Sequence, residues 1–177
     1  MACDLSLGRG TSCKDNRGGI KNIYFANNED DLDTTATLDG DDQITAFATL
    51  VTLYKYEVRG DGNTFDEANA VDKTAGTSKW DQTLTVALQK LTVADNKELK
   101  LMSWGNPQIV IEDYNGNFRI AGFENGCDVA VSTASGGNMA EFSGYNLEAT
   151  GEEVAPANFI DPTIIGDDVN TTVVTAA

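Results

Sequence analysis

The sequence predicts an all-β protein: an antiparallel β-sandwich or barrel with one short flanking α-helix and extended N- and C-terminal arms. Roughly seven to eight segments have strand composition, and turns rich in Gly, Asn and Asp separate them. A single segment has a helical pattern. The chain has 177 residues, of which 41% are hydrophobic, enough for one domain with its own core.

The expected organisation is an arm at 1–19, a β-sandwich or barrel body at 20–156 and a second arm at 157–177. Residues 1–19 are rich in Gly, Ser, Asp and Asn, which favours irregular backbone. After Pro156 the apolar residues follow no clear period. This last segment is therefore expected to be loosely ordered or docked on a neighbouring molecule.

Three segments have clear strand patterns. Ile20 to Ala26 has strand composition, whereas Trp80 to Lys90 and Phe142 to Ala149 alternate apolar and polar residues. Such alternation is typical of a strand with one buried face. Ile44 to Arg59 is predicted as one long strand, bulged or buried on both faces in its first half, and Gly60 to Thr77 as a long polar loop.

A hairpin is predicted around Asn115-Gly116, because both residues tolerate the positive φ angles of a tight turn. Its strands are Ile109 to Tyr114 and Phe118 to Phe123, and another strand is expected at Cys127 to Val131.

The helix is predicted to begin after Thr92, which forms a capping box with Asp95. Gly105 and Pro107 end it, because they favour a C-terminal cap and a stop. Its expected apolar stripe holds Val93, Lys97 and Leu101, with Leu99 and Met102 beside it.

The charge excludes several functions. There are 28 acidic and 12 basic residues, a net charge of −16, and no histidine. Such a surface repels nucleic acid and anionic membranes. The lack of histidine removes Ser-His-Asp and Cys-His catalysis and makes zinc sites improbable. The N-terminus lacks the features of a signal peptide, so synthesis in the cytoplasm without export is expected.

No motif indicates catalysis, a cofactor or a metal. Most of the paired acids, for example Asp41-Asp42 and Glu152-Glu153, are expected in turns beside Gly, Asn or Thr, where solvated charge is usual. The acidic turns do not have the spacing of a calcium loop. Cys3, Cys13 and Cys127 are interpreted as small hydrophobic residues rather than a disulfide framework, although Cys3 and Cys13 could pair.

The order of segments resembles that of the tail tube (major tail) proteins of tailed bacteriophages. The resemblance covers residues 1–160, and the segments that carry it are GGIKNIYFAN, ITAFATLVTLYKYEV, GNTFDEAN, KWDQTLTVALQKL, IVIEDYNGNFRIAGF and FSGYNLEATGEEVAPANF. It implies a small β-sandwich or barrel with one flanking helix. It also implies hexameric rings that stack into a tube with other tail proteins, located in the virion and assembled in the host cytoplasm.

The resemblance implies roles for particular segments. Arms and a long loop would bridge one ring to the next, and an acidic bore would let DNA pass without binding it. A hexameric ring would carry six times −16. The candidate inter-ring contacts are Gly8, Arg9, Gly10, Gly60, Asp61, Phe65 and Asp66. The candidate bore acids are Asp39, Asp41 and Asp42, and the loop acids Asp61 and Asp66 are candidates of the same kind.

Two alternatives remain open. One is another virion protein, such as a head-decoration, neck or tail-terminator protein, which would form a closed oligomer. The other is a carbohydrate- or calcium-binding β-sandwich module, for which Trp80 and Trp104 would offer a sugar platform if they are not core residues.

Overall fold

The computed structural model describes residues 8–10, 14–28 and 32–175. Two helices lie in this part of the chain, α1 (Leu32–Thr35) and α2 (Val93–Met102), and Pro162–Ile164 forms a 3₁₀ turn. The strands are β1 (Ile20–Ala26), β2 (Ala36–Leu38), β3 (Ile44–Phe47), β4 (Val51–Glu57), β5 (Thr64–Asp72), β6 (Thr77–Gln89), β7 (Gln108–Asp113), β8 (Phe118–Ala121), β9 (Asp128–Ala134), β10 (Gly144–Glu153), β11 (Phe159–Ile160) and β12 (Thr171–Val174).

The strands form two sheets. The large sheet has the order β12-β4-β1-β7-β8-β11-β3-β2, and the small sheet has the order β5-β6-β10-β9. All pairs are antiparallel except β11 with β3 and β12 with β4. The predicted all-β sandwich or barrel with a short helix is therefore confirmed.

The large sheet curls into a half-barrel. Strands β3 and β4 are separated in the sheet by β1, β7, β8 and β11, yet only residues 48–50 join them along the chain. Three residues are too few to span four strands of a flat sheet, so the two ends of the large sheet must lie close together. Asn170 joins these ends: its side-chain oxygen accepts from the Phe47 amide at 2.9 Å, and its carbonyl accepts from the Val51 amide at 2.9 Å.

Strands β1 and β7 are buried on both faces. Ile23 and Phe25 of β1 point between the two sheets, whereas Tyr24 and Ala26 point into the half-barrel. The inter-sheet core is completed by Val58, Leu84, Val86, Leu99, Ile109, Ile111, Val129, Tyr145 and Leu147, among others. The core of the half-barrel includes Leu32, Ile44, Phe47, Val51, Leu53, Val110, Ile120, Ile160 and Ile164.

The local signals of the hairpin and the helix cap are confirmed. Gly116 has φ +82° in the turn between β7 and β8. The Thr92 hydroxyl accepts from the Asp95 amide at 3.0 Å, as an N-cap does. The predicted helix stripe is wrong, because Leu99 is the buried residue of α2 while Val93 is 92% exposed.

Two predictions for the middle of the chain are wrong. Ile44 to Arg59 is not one strand, because the chain passes from β3 to β4 at opposite ends of the curled sheet. Gly60 to Thr77 is not a loop, because Thr64–Asp72 forms β5 and pairs with β6 along its whole length. An edge strand with an exposed face needs few apolar residues, so its composition resembles that of a loop.

The segment after Pro156 also differs from the expected arm. Strands β11 and β12 add to the large sheet, and Ile160 and Ile164 are buried in the half-barrel. Strand β11 pairs with β8 and strand β12 pairs with β4. Both partners are distant in sequence, so the local sequence pattern does not reveal these strands. Among the described residues, no helix is both long and apolar enough to cross a membrane.

Replacing Gly144 by alanine should destabilise the fold by about 2–3 kcal/mol, the usual cost of overpacking. A methyl group at this position would collide with the Leu88 carbonyl oxygen across the β6–β10 pair. Gly40→Ala is the matched control, because its new methyl group would meet open space. Urea unfolding measures both, and equal stability of the two variants would contradict the steric argument.

Candidate functional site

The outer face of the small sheet carries a concentration of acid. In β6 the even-numbered residues Leu84 and Val86 are buried against the core, so the odd-numbered residues point outward. In β10 the pattern is reversed, with Leu147 buried and Glu148 exposed. Five carboxylates share this outward surface, which we call the acidic sheet face: Asp66, Asp81, Asp128, Glu148 and Glu152.

The rest of the acidic sheet face is small and polar. Its other members include Thr64, Thr83, Thr85, Ala130, Ser132, Asn146 and Thr150. Of the described basic residues, Lys79 lies on this face and forms ion pairs with Asp81 at 2.9 Å and Glu152 at 2.5 Å. The hydrogen bond from Lys79 to Glu152 raises the pKa of Lys79 most, and the hydrogen bond to Asp81 raises it further. Five carboxylates against one ammonium leave a surface that repels phosphates.

One end of the acidic sheet face opens into a depression of about 670 Å³, the acidic depression. Asp81, Asp128 and Glu152 line it together with Lys79. The loops before β7 and after β8 complete its wall with Asn106, Asn125 and Gly126. The depression therefore lies at the end of the molecule where β7 begins and β8 finishes, which we call the acidic end.

A buried polar bridge holds the small sheet on the large one at this end. Gln82 is only 2% exposed; its oxygen accepts from the Gly122 amide at 2.9 Å, and its nitrogen donates to Glu67 at 3.0 Å. Glu67 also accepts from the Ala157 amide at 2.6 Å. Glu153 accepts from the backbone of residues 124 and 125, and burial raises its pKa. These bonds position the strands that line the acidic depression.

The opposite end of the molecule, which we call the basic end, holds Arg9, Arg17 and Lys21 beside the acids Asp15, Glu112 and Asp113. Ile20 pairs with Asp113 and Ala26 with Gln108, so the chain before β1 meets the β7–β8 turn far from the acidic depression. Asn115 accepts from the Arg17 amide at 2.9 Å and donates to the Arg17 carbonyl at 2.7 Å. A second depression, of about 550 Å³, is lined here by Arg9, Asp15, Asn16, Arg17, Tyr114 and Asn115.

The sequence around this basic end differs in charge from the rest of the chain. Residues 8–21 hold four basic residues and one acid, Asp15, a net charge of +3. Since the whole chain carries −16, the remainder carries −19. The four basic residues are Arg9, Lys14, Arg17 and Lys21.

A buried carboxylate anchors the start of β1 at the basic end. Glu112 is 5% exposed and accepts hydrogen bonds from Lys21 at 2.5 Å, Asn22 at 2.6 Å and Tyr24 at 2.8 Å. Burial by itself raises the pKa of Glu112, but the bonds from Asn22, Lys21 and Tyr24 outweigh it and hold the pKa below its ordinary value. The ionised form of Glu112 is therefore the one that the fold stabilises.

A two-stranded ribbon extends beyond the small sheet. The last pair between β10 and β6 is Glu153 with Trp80, so residues 69–79 pair only across β5 and β6. Val71 is 64% exposed on this ribbon. Asp72 accepts from the Ala75 and Thr74 amides at its tip, which lowers the pKa of Asp72.

The predicted bore acids lie away from the acidic sheet face. Asp39, Asp41 and Asp42 occupy the exposed turn between β2 and β3 of the large sheet. Asp39 accepts from the Asp41 amide at 2.9 Å and the Gln43 amide at 3.0 Å, so it shapes its own turn. Of the sequence candidates, the acidic sheet face includes only Asp66.

The candidate inter-ring residues are dispersed. Arg9 lies at the basic end, and Gly8 and Gly10 beside it are exposed. Gly60 and Asp61 lie in the turn between β4 and β5. Phe65 is not a loop side chain: it packs against the inter-sheet core, with the Arg119 guanidinium 4.9 Å from its ring.

Sequence reasoning missed most of the acidic sheet face. Asp81 and Glu148 were recognisable as outward residues of alternating strands. Glu152 lies beyond Ala149, where the predicted strand ended, and the pairing of Asp128 with Thr150 follows only from the register. Cross-strand neighbours follow from register, which a single sequence does not reveal.

The cysteines and the remaining acid pair add no reactive group to the described part of the chain. Cys127 is buried, and burial raises its pKa to about 12, so its thiol stays protonated. Cys3, Cys13 and the acids Asp30 and Asp31 lie outside the described residues. Within the described part of the chain, no group of three or more Cys, Asp or Glu residues could hold a metal ion.

Comparison with known proteins returns no match: no family model, no curated protein and no solved structure matches the chain.

Glu112→Gln should lower stability at pH 7 by about 2 kcal/mol, because charge-assisted hydrogen bonds are lost. The pKa of Glu112 is depressed, so its contribution is present above the ordinary value of 4.5 and is lost as pH falls through the folded-state pKa. The stability gap between wild type and variant should therefore close below pH 4.5 in urea titrations.

Glu57→Gln is the control, because Glu57 is exposed and forms only a 3.5 Å pair with Lys55. Its effect should stay within about 0.5 kcal/mol at every pH. A gap for Glu112→Gln that does not depend on pH would contradict the role of the ionised carboxylate.

Proposed function

We propose that this chain is a non-enzymatic structural protein of a phage tail, which assembles with copies of itself into stacked hexameric rings. The stacked rings form the tail tube, and DNA passes through its bore without specific binding. Other tail proteins contact the ends of the tube. The protein works in the virion after assembly in the host cytoplasm.

The acidic sheet face is the observation that carries this proposal. A bore for DNA must be smooth and must not hold phosphates. The face meets both demands, since it is built from carboxylates and small polar side chains on regular strands. Repeated around a ring, Asp66 and Glu148 would line the bore continuously, in place of the turn acids Asp39, Asp41 and Asp42.

The ends and edges of the fold support an open assembly. The acidic and basic ends lie at opposite ends of β1 and β7, so a contact between them joins copies head to tail. A head-to-tail contact that does not close on itself produces a filament. Strands β5 and β9 are the free edges of the small sheet, and pairing with a neighbour would satisfy their backbone groups.

The purified protein should form rings and tubes that are visible by negative-stain electron microscopy. Assembly should increase with protein concentration, because each added copy buries the same contact. Monomers alone at every concentration and salt would overturn the proposal. A closed oligomer that never stacks, detected by light scattering, would favour a decoration, neck or terminator protein instead.

Glu148→Lys should make assembled tubes retain DNA, because the substitution places a ring of cations in the bore. The measurement is co-sedimentation of short double-stranded DNA with tubes at low salt. Glu98→Lys on the exposed surface of α2 is the matched control, since it makes the same change in net charge. Equal DNA retention by both variants would contradict the placement of the acidic sheet face in the bore.

A further inference from the structure

We propose that the basic end of one copy docks against the acidic depression of the next copy and that this charge contact sets the direction of stacking. The inference rests on the proposed function and adds to it the two surfaces that meet. The occupant of the acidic depression is a second copy of this chain, through Arg9 and Arg17.

Charge complementarity selects this partner. The acidic depression presents Asp81, Asp128 and Glu152 against a single base, Lys79, which is already paired. The basic end carries +3 over residues 8–21, and Arg9, Lys14 and Arg17 remain for a contact when Lys21 is set aside because it is paired with Glu112. Two copies that each carry −16 repel each other in most orientations, so the favoured approach brings these two surfaces together.

The positions of the two surfaces fit an open stack. The acidic depression is walled by the loops that precede β7 and follow β8, and the basic end is held on the β7–β8 turn. The length of β7 therefore separates them within one copy. One copy cannot satisfy both surfaces by itself, and two copies in line leave one of each surface free for further growth.

The side chains at the basic end are available for such a contact. The hydrogen bonds that hold Arg17 to Asn115 use the backbone of Arg17, not its guanidinium. Residues 8–10 and 14–19 are exposed throughout. Lys21 is different, because its ammonium is bound to Glu112 and anchors β1.

Charge reversal with rescue tests the proposal. Arg17→Glu should raise the protein concentration needed for tubes by about tenfold, since like charges would then face each other across the contact. Asp128→Lys should have a similar effect. The double variant should assemble near the wild-type concentration, because the pair is restored with its signs exchanged. Pelleting of tubes, verified by electron microscopy, is the measurement.

Lys97→Glu is the control for Arg17→Glu, because it makes the same change in net charge on exposed α2. If Lys97→Glu and Arg17→Glu need the same protein concentration to form tubes, the charge contact is wrong. The same holds if the double variant shows no rescue, and the tube proposal stands in either case. Absence of tubes from the wild-type protein would overturn both. Urea unfolding verifies that each variant is folded, and the Asp128→Lys arm tests the contact independently of Arg17.

Discussion

The fold depends on two strands, β1 and β7, that are buried on both faces. Ile23 and Ile109 pack against the small sheet, while Tyr24 and Val110 pack inside the half-barrel. Two layers must therefore cover the large sheet, one on each side. The small sheet and α2 form the first, and the curl of the large sheet itself, with α1 and β11, forms the second.

This arrangement leaves one face of the small sheet free of any packing role. The inward residues of the small sheet form the core, so packing does not restrict the outward residues and they can be charged. The acidic sheet face is the result. The same strands also carry the polar bridge through Gln82, which fixes the acidic depression against the loops of the large sheet.

Local signals predicted the elements whose form is set by neighbouring residues. The hairpin at Asn115-Gly116, the Thr92 cap and the alternation of β6 and β10 are all in this group. Strand β5 was missed because it is a polar edge strand, and strand β12 was missed because its partner β4 is distant in sequence. The candidate site was predicted only in part: Arg9 and Asp66 lie on the proposed surfaces, whereas Asp39 shapes a turn.

The sequence by itself determined the class of fold, the strong negative charge and the absence of histidine, because composition and short periodicity are properties of the chain alone. Only the tertiary structure decided where the charges lie. Strand register placed Asp81, Asp128 and Glu152 together, and the antiparallel pairing of β1 with β7 placed Arg17 at the other end. Register is set by packing of the whole core, so the polarity of this molecule emerges only when the chain is folded.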